Sequence, residues 1–478
     1  MSAPFVQLFK TPRAQYVFDV NKNEILSVSK EAFCYLQQCI ANQEDASEAS
    51  LSEVKALYEQ GYLRSESVVQ EVQHPCTPNL QYFLDRKVEK ITLQLTQNCN
   101  LRCKYCIYSE TINTFQRSHS NKRMSWETAK RSVDFLWEHS VDSKKVNIGL
   151  YGGEPLLEFP LIQKIIAYAK GKFDGKEISF SLTTNGTLLN DEIIEFLAHE
   201  DVMLLISLDG PKEIHDKSRR FANGQGSFDT VMKNVKRLAE IAPDYAEKMQ
   251  FSMVMDPSND FDCINEITFS ADALVSHDFS ASIVERDPDE EIVSYSEDFV
   301  WKSTYQHFLA LLTLFGRYPE DKLSVISKGL IASVIGDFKA GFTSGALAPV
   351  DAPSGPCVPG KLRSFVNVDG QLFPCERVSE CSKAMCIGSL DSGFDVEKAE
   401  KLLNIGAITK DVCKKCWAFR HCSLCAKRAD DGSELLSAKK KLSHCRSVKA
   451  DTYEKIRRLI FLNEVDQFYS AQVRSVKE

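Results

Sequence analysis

The chain has 478 residues, a formal net charge of −8 and an ordinary composition of 43% hydrophobic and 26% charged residues. This length predicts roughly two to four domains, and the acidic balance gives no indication of general nucleic-acid binding. No apolar run approaches the roughly 18 residues that cross a bilayer, and the N-terminus lacks the pattern of a secretory signal, so we expect a cytoplasmic protein without a membrane partner.

Residues 1–85 are predicted to form a small α+β unit ahead of the main fold. Residues 16–20 and 25–28 have the pattern of strands, and polar residues between them supply the turn of a hairpin. Ser29 is a suitable N-cap for a helix with an apolar face, and a second helix follows it. The polar stretch 65–79 contains two prolines and is interpreted as a linker.

Strands and amphipathic helices alternate from residue 91 to about residue 285. One helix is predicted to begin at the N-cap residue Ser125, and another is predicted to begin at Ser227. Six βα units indicate an α/β fold with a parallel sheet, whose active loops follow the C-terminal ends of the strands. Periodicity leaves open whether this sheet is a partial barrel or an open sheet. The predicted strands are 91–96, 146–151, 178–183, 203–207, 251–255 and 279–284.

The C-terminal third is predicted to depend on metal more than on apolar packing. Residues 300–345 have helical character, and residues 357–445 are rich in Cys, Gly and Lys with only short apolar runs. Because such a segment lacks a large core, we expect bound metal to organise its fold. Residues 449–468 are predicted to form a final helix.

Three cysteines, Cys99, Cys103 and Cys106, directly follow the first strand of the βα region. The chain has 16 cysteines, and closely spaced thiols in a reducing cytoplasm usually hold metal. A structural zinc site needs four protein ligands, and the nearest further candidate is His119. Three thiolates suit a four-iron cluster with one iron left open, and a structural zinc loop is the alternative interpretation.

The spacing of this group, with Tyr105 directly before the third cysteine, resembles the radical S-adenosylmethionine superfamily. The resemblance implies a [4Fe-4S] cluster whose open iron binds S-adenosylmethionine, which is split to methionine and a 5′-deoxyadenosyl radical. The Gly-Gly-Glu-Pro run that ends the second predicted strand matches the family's motif for the methionine amine. For Ser207 and Arg219, shaping of their loops is the alternative to cofactor contact. The cofactor-binding residues that the resemblance implies are Tyr105, Gly152, Gly153, Glu154, Asn185, Ser207, Asp209 and Arg219.

Seven further cysteines form a second group in the C-terminal third. Within it, the block from Cys413 to Cys425 has four-ligand spacing by itself, and a zinc ribbon is the alternative interpretation. The complete order resembles the SPASM extension of radical S-adenosylmethionine enzymes, although two residues instead of three separate Cys422 from Cys425. The resemblance implies two auxiliary [4Fe-4S] clusters and therefore three clusters in all. The first auxiliary set would be Cys357, Cys375 and Cys425, and the second would be Cys413, Cys416, Cys422 and Cys445.

The first auxiliary set lacks a fourth ligand. Either Cys381 or Cys386 completes it, or one iron stays open and binds a substrate thiolate. Glu376 directly follows Cys375, at the place where the sulfatase-maturing relatives carry an acidic base. Glu376 is therefore a candidate catalytic residue, and a solvated surface carboxylate is the alternative.

The resemblance also implies an architecture. We expect an α/β fold with a partial (β/α)6 TIM-like barrel at 86–300. A small winged-helix-like domain at 1–85 looks like the recognition element of ribosomal-peptide maturases, to which a leader adds as an edge strand. The alternative is a domain that merely packs on the barrel. A helical linker at 301–349, a Cys-rich iron–sulfur (SPASM) domain at 350–450 and a C-terminal helix at 451–478 would follow.

These features predict a radical S-adenosylmethionine enzyme that modifies a ribosomally made, leader-bearing peptide. The expected reaction is a thioether cross-link from a Cys sulfur to a carbon of another residue. A formylglycine-generating sulfatase-type maturase and a carbon–carbon cross-linking enzyme are the catalytic alternatives, and a zinc-organised binding module is the alternative without catalysis. The expected partners are a Cys-rich precursor peptide and an electron donor such as flavodoxin or ferredoxin, with no nucleic acid.

Overall fold

The computed structural model describes residues 3–47, 49–108, 116–270, 279–284, 295–329, 331–332, 336 and 345–475. These residues form three β-sheets, and helices pack around the largest of them. None of the helices within these ranges is long and apolar enough to cross a membrane.

The strands are β1 Val6–Lys10, β2 Gln15–Asp19, β3 Glu24–Val28, β4 Glu71–Val72, β5 Lys90–Thr96, β6 Lys145–Gly152, β7 Glu177–Thr184, β8 Met203–Ser207, β9 Gln250–Met255, β10 Phe279–Ile283, β11 Val350–Asp351, β12 Ser364–Val366, β13 Gln371–Phe373, β14 Gly388–Ser389 and β15 Gly393–Phe394. The helices are α1 Lys30–Asn42, α2 Ser52–Glu59, α3 Leu80–Arg86, α4 Trp126–His139, α5 Phe159–Lys172, α6 Asp191–His199, α7 Lys212–Ser218, α8 Phe228–Ile241, α9 Pro243–Ala246, α10 Phe261–Ser270, α11 Glu297–Leu314, α12 Val396–Leu403, α13 Lys410–Cys413, α14 Ala438–Ser443 and α15 Cys445–Ser475.

The N-terminal sheet is antiparallel, with its strands in the order β1, β2 and β3. Both predicted strands are confirmed as β2 and β3, and β1 is an additional strand that the sequence did not indicate. Ser29 caps α1 as predicted, because its side chain accepts a hydrogen bond from the N–H of Ala32 at 3.1 Å.

The central sheet has ten strands, and parallel pairing dominates it. Strands β5 to β10 are parallel and neighbour one another in chain order, while β12 pairs in parallel with the other side of β5. β13, β14 and β15 continue the sheet with antiparallel pairs. β5 is buried from Ile91 to Thr96, as expected for a parallel strand that is covered on both faces. The predicted α/β fold on a partial barrel of six parallel strands is confirmed.

Both helix starts at Ser125 and Ser227 are confirmed, and the two helices differ in the side chain that caps them. Ser125 caps α4 as predicted, by accepting a hydrogen bond from a backbone N–H at 3.0 Å. α8 begins directly after Ser227, as predicted, but the Ser227 hydroxyl does not cap the helix and donates to the carbonyl oxygen of Arg219 at 2.9 Å. Asp216 caps this helix instead, since its Oδ1 accepts from the N–H of Phe228 at 2.9 Å.

The expectation that residues 357–445 lack a large core is wrong for the first half of that segment. Phe365 of β12, Phe373 of β13 and Leu402 of α12 are at most 3% exposed and pack with residues of the barrel. Short apolar runs are sufficient here because the strands add to an existing sheet and complete a shared core. Apolar packing therefore organises this half of the segment.

A second apolar cluster joins the N-terminal sheet to the C-terminal helix. Phe9 of β1 stacks on Tyr453 of α15 with ring centroids 4.6 Å apart. Phe18 of β2 and Phe419 are buried in the same cluster, together with the side chain of Cys413. The N-terminal unit thus packs on the region of the second cysteine group.

The stretch 65–79 is not a free linker, contrary to the interpretation of its composition. β4 pairs in parallel with β11, and the N–H of His74 donates to Oδ1 of Asn404 at 2.7 Å. Polar residues in this stretch form hydrogen bonds with the C-terminal region. Composition alone cannot distinguish polar residues that are bonded in this way from polar residues that are exposed to solvent.

The two helical predictions of the C-terminal half are confirmed where the structure describes them. α11 begins at Glu297, three residues before the predicted helical stretch 300–345, and covers its first part; some of that stretch lies outside the described residues. The predicted final helix at 449–468 is contained in α15, which begins four residues earlier, at Cys445.

Candidate active site

A cavity of about 380 Å³ lies at the C-terminal ends of the parallel strands. Its wall also includes Glu376, Arg377 and Lys427 from the C-terminal third. Two of the predicted cofactor-binding residues, Glu154 and Asp209, are buried next to it. The predicted cofactor-binding residues that line it are Tyr105, Gly152, Gly153, Asn185, Ser207 and Arg219, and the cysteines that line it are Cys99, Cys103 and Cys106.

The three thiols of the first cysteine group are close enough to influence one another's ionisation. Burial raises the pKa of Cys99 to about 12 and that of Cys103 to about 11, and the charge of Cys106 adds to both increases. Such thiols become thiolates when a cation replaces their protons, and three soft sulfur donors fit the irons of an iron–sulfur cluster. Within the described ranges, no group of three or more Cys, His, Asp or Glu side chains could hold a single metal ion. In a four-iron cluster, each thiolate binds a different iron.

Gly152 and Gly153 allow β6 to meet the cysteine loop at backbone distance. A Cβ atom on Gly153 would lie 2.1 Å from the carbonyl oxygen of Asn98, and one on Gly152 would lie 2.5 Å from that of Thr96. Gly152 also has a φ of +144°, which L side chains rarely adopt. The N–H groups of Gly153 and Glu154 donate to these two carbonyls at 2.9 Å. Close packing of the backbone therefore requires both glycines, in addition to the ligand contact that the sequence suggested.

Glu154 ties the ends of two strands together. Its carboxylate accepts hydrogen bonds from the N–H of Leu156 at 3.0 Å and from the N–H of Asn185 at 2.8 Å. The hydroxyl of Thr184 donates to it at 2.7 Å. Burial raises the pKa of Glu154 to about 6, against the opposing effect of these hydrogen bonds. Its contact with a cofactor amine stays a prediction.

Tyr105, Asp209 and Arg219 form one buried network beside the cysteine loop. Oδ2 of Asp209 accepts from Nε of Arg219 at 2.8 Å and from the hydroxyl of Tyr105, and Oδ1 accepts from the N–H of Val254 at 3.0 Å. Burial raises the pKa of Tyr105 well above its usual value, which keeps the phenol a donor. Burial is the main cause of the raised pKa of Cys103, and the charge of Arg219 opposes this increase. Arg219 thus shapes its loop and lines the cavity, so the two roles considered for it are compatible.

Asn185 connects the end of β7 to the cysteine loop. Its Nδ2 donates to Oδ1 of Asn100 at 2.8 Å and lies 3.8 Å from Sγ of Cys99. Its Oδ1 accepts from the N–H of Thr187 at 3.0 Å, which fixes the orientation of the amide. The ends of β5, β6 and β7 are therefore linked by side chains that meet beside the cavity.

The structure brings together both auxiliary cysteine sets that the resemblance implied. All three pairs within the first set interact electrostatically, and burial raises the pKa of Cys375 to about 11. In the second set, the other three thiols each interact with that of Cys416. The short interval between Cys422 and Cys425 separates members of different sets and so does not disturb either. The role of these thiols as cluster ligands stays a prediction.

The fourth ligand of the first auxiliary set stays open. Cys381 is exposed, and the thiol of Cys386 donates to the carbonyl oxygen of Gly388 at 3.4 Å. A substrate thiolate therefore remains an alternative to both.

Glu376 lies on the cavity wall with its side chain 20% exposed. Its Oε1 accepts from Nη1 of Arg363 at 3.2 Å and lies 4.0 Å from Nε of Arg377. Burial raises the pKa of Tyr151 to about 12, and the charge of Glu376 adds to that effect. Glu376 is therefore not a fully solvated surface carboxylate, and its catalytic role stays a prediction.

Several cavity residues carry no motif that would have predicted them. Tyr151, Arg377 and Lys427 line the cavity. The sequence signal that could have indicated them is that each lies within two residues of a predicted cysteine ligand or a motif glycine. His119, considered only as a possible zinc ligand, has its Nε2 3.9 Å from Sγ of Cys106. Burial lowers the pKa of His119, so its imidazole is a neutral neighbour of the thiol.

Replacing Gly153 with Ala is expected to displace the cysteine loop, because the new Cβ meets a backbone atom that cannot turn away. We expect a loss of about four iron atoms per chain, one four-iron cluster, and a lower thermal midpoint. Gly171→Ala is the matched control, since nothing lies within 4 Å of its Cβ position in α5. The measurement is iron content and thermal unfolding of anaerobically reconstituted protein, and full iron content in Gly153→Ala would contradict the prediction.

Residues 93–268 match the family described as the Radical SAM superfamily. A cysteine-type anaerobic sulfatase-maturating enzyme from Clostridium novyi is 33% identical over 31% of this chain and 40% of that relative. The radical SAM cyclopropyl synthase TigE from Paramaledivibacter caminithermalis is 25% identical over 64% of this chain and 70% of that relative. A solved structure of native anSMEcpe with bound AdoMet and Kp18Cys peptide has a TM-score of 0.55 and 21% identity, covering 78% of this chain and 99% of that one.

The chain spans less than half the length of the first of these relatives, and the solved structure is similar in fold. The family match contains the first cysteine group and the Gly-Gly-Glu-Pro run, which the fold brings to one cavity. Residues 93–268 therefore form a domain that matches the Radical SAM superfamily and carries these two motifs at one cavity.

Proposed function

We propose that the enzyme modifies a peptide whose reacting residue enters the cavity between the first cysteine group and the C-terminal third. The observation that carries this proposal is the composition of the cavity wall. Cys99 and its two companions lie on it, and so do Glu376 and Lys427, which neighbour members of the first auxiliary set in sequence. A substrate in this cavity would contact the radical SAM domain and the auxiliary segment together.

The names of the relatives support a macromolecular substrate. One relative is named as a sulfatase-maturating enzyme, and the solved structure of similar fold holds AdoMet and a peptide. A cavity at the C-terminal ends of parallel strands is also the usual position of an active site in this type of fold. We infer that a ribosomally made peptide with a leader segment is the substrate of this chain.

The first cysteine group is assigned to the cluster that binds S-adenosylmethionine. When bound, the iron–sulfur cluster and S-adenosylmethionine together would supply a carbon-centred radical that removes a hydrogen atom from the substrate. The chain's own residues hold and orient the pair: three thiols bind iron, and Asn185 and Arg219 present an amide and a guanidinium at the wall. The Asp209 carboxylate accepts from Nε of Arg219 and so holds the guanidinium in place. This contact leaves the Nη groups of Arg219 to donate to a ligand.

The finer proposal is a thioether cross-link from a substrate cysteine sulfur to a carbon of another residue. It rests on the three-thiol composition of the first auxiliary set, which leaves one iron of a four-iron cluster for a substrate thiolate. The proposal includes two auxiliary [4Fe-4S] clusters, three clusters in total, and an electron donor such as flavodoxin or ferredoxin.

A second candidate is a sulfatase-type maturase that converts Cys or Ser to formylglycine. The position of Glu376 favours it, because a carboxylate on the cavity wall can take a proton from a substrate side chain. Arg363 contacts this carboxylate at 3.2 Å and so orients it. The products separate the candidates: a cross-link removes two hydrogen atoms from the peptide, whereas formylglycine formation from Cys replaces the thiol by an aldehyde.

The N-terminal sheet is assigned to leader binding, with β3 as the edge that receives the leader. β1 is occupied by the C-terminal helix, since Phe9 stacks on Tyr453 and Thr11 donates to Oε1 of Glu464 at 2.6 Å. β3 is the other edge of the sheet, and two of its five residues are exposed. An extended peptide added there would gain backbone hydrogen bonds without disturbing the packing of the sheet.

Replacing Cys99, Cys103 and Cys106 together with Ala is expected to abolish cleavage of S-adenosylmethionine and to remove about four of about twelve iron atoms. The reason is that the other two cysteine sets lie outside this loop and keep their ligands. Cys263→Ala, at an exposed thiol in α10, is the control and should retain activity and iron. Formation of 5′-deoxyadenosine above background in the triple variant would rule out the assignment.

Glu376→Gln is expected to lower peptide turnover by roughly 10² to 10⁴ if Glu376 is the base of the reaction. The amide keeps the size of the side chain but no longer accepts a proton at neutral pH. Cleavage of S-adenosylmethionine without peptide should be unchanged, and Glu397→Gln, at an exposed carboxylate of α12, should behave as the unmodified enzyme. Unchanged peptide turnover would remove the support for the second candidate.

Leader binding is expected to slow hydrogen exchange of the backbone amides in β3. β2 is paired on both sides and serves as the internal control, since its amides are protected in either state. The measurement compares exchange of the full chain with and without a leader peptide. Protection confined to another region would eliminate β3 as the binding edge. Deletion of residues 1–85 is a poorer test, because it also removes Phe9 and Phe18 from the second apolar cluster.

A further inference from the structure

A lysine is buried beside the second auxiliary cysteine set. Lys441 of α14 is 2% exposed, and its Nζ lies 2.6 Å from Oγ1 of Thr409 and 3.4 Å from Sγ of Cys413. The Thr409 hydroxyl is itself 3.2 Å from the same sulfur. Lysine is among the residues that are rarely buried to this extent unless a partner compensates their charge.

The surroundings of this ammonium do not suit an unpaired charge. Cys413 belongs to the second apolar cluster, together with Phe419 and Ile456. The acceptors that the structure gives to Nζ are a hydroxyl and a sulfur, and a hydroxyl is neutral. Burying an ammonium without an anion is costly, and of its two acceptors the sulfur is the one that is anionic when it binds metal.

The charge of Lys441 extends to a second member of the set. Burial raises the pKa of the Cys422 thiol, and the ammonium of Lys441 acts in the opposite direction by favouring the thiolate. Burial likewise raises the pKa of Cys416, and Lys449 of α15 opposes this increase. Two lysine ammonium groups therefore act on the thiols of this set, and their charge complements the thiolate form that binds iron.

We propose that the ammonium of Lys441 is the counter-charge of the second auxiliary cluster, donating to the Cys413 thiolate and raising the reduction potential of that cluster. The inference rests on the part of the proposed function that assigns the Cys413 set to a four-iron cluster. Hydrogen bonds to cluster sulfurs and nearby charges are established determinants of cluster potential. An added electron makes the cluster more negative, so a fixed ammonium stabilises the reduced form more than the oxidised form.

The alternative is that Lys441 only ties α14 to α13 through Thr409, as a structural residue would. A structural role predicts a change in stability but no specific change in the potential of one cluster. The reduction potential therefore distinguishes the two roles, and a substitution that keeps the charge should restore it.

The test compares the unmodified enzyme with Lys441→Met, Lys441→Arg and Lys439→Met, all as full chains reconstituted under anaerobic conditions. Met keeps the unbranched shape without the charge, and Lys439 is an exposed lysine of the same helix. Iron content is measured first, and the midpoint potentials are then determined by redox titration followed by electron paramagnetic resonance. We expect the equilibrium constant for reduction of one cluster to fall about tenfold in Lys441→Met, which is about 59 mV towards negative potential.

Lys439→Met should match the unmodified enzyme, and Lys441→Arg should restore most of the shift. Loss of about four irons in Lys441→Met but not in Lys441→Arg would also support the counter-charge. Full iron content with unchanged potentials in Lys441→Met would overturn the inference, as would equal loss of iron in Lys441→Met and Lys441→Arg. An unmodified enzyme with only about four irons would refute the auxiliary clusters themselves, which identifies a failure of the proposed function and not of Lys441 alone.

Discussion

The backbone of Gly153 lies so close to the backbone of Asn98 that no side chain fits between them. This contact holds the loop after β5 against the end of β6, and the first cysteine group stands on that loop. Glu154, the next residue, extends the connection to β7 by accepting from the N–H of Asn185. Three neighbouring strands are thereby fixed at their C-terminal ends, and the cavity takes its shape from them. A parallel sheet supplies the strand ends, but these backbone contacts determine where the thiols lie.

Buried charge is handled in two different ways in this molecule. Arg219 is paired with the Asp209 carboxylate inside the chain, so its charge is compensated whether or not a ligand is present. Lys441 has the Thr409 hydroxyl and the Cys413 sulfur as its acceptors, and neither is a carboxylate. The first arrangement makes a preformed wall for a cofactor, while the second makes a site whose charge balance is completed when metal binds.

Local sequence signals predicted the elements whose residues act through their nearest neighbours. β8 was predicted with the bounds that it has, and Ser125 was identified as a cap, because alternation and capping are local properties. The start of α8 at Ser227 was predicted as well, but its cap is Asp216, twelve residues before Phe228, and such a partner is selected by the tertiary structure. The cysteine sets were predictable from spacing and resemblance. Lys441 was not, since nothing in a lysine-rich run indicates which lysine is buried.

The second apolar cluster joins the N-terminal sheet, the second auxiliary set and α15 into one packed unit. Phe9 from the N-terminal sheet, Cys413 from the second auxiliary set and Ile460 of α15 are buried in the same cluster. Removing the N-terminal sheet, the segment of the second auxiliary set or α15 would expose apolar surface on the other two. Burial of such surface contributes roughly 25 cal/mol per Å² to stability. Stability of the metal site and integrity of the N-terminal sheet are thus linked through packing. A change in iron content after a mutation in the N-terminal sheet can therefore arise without any contact between the mutated residue and a ligand.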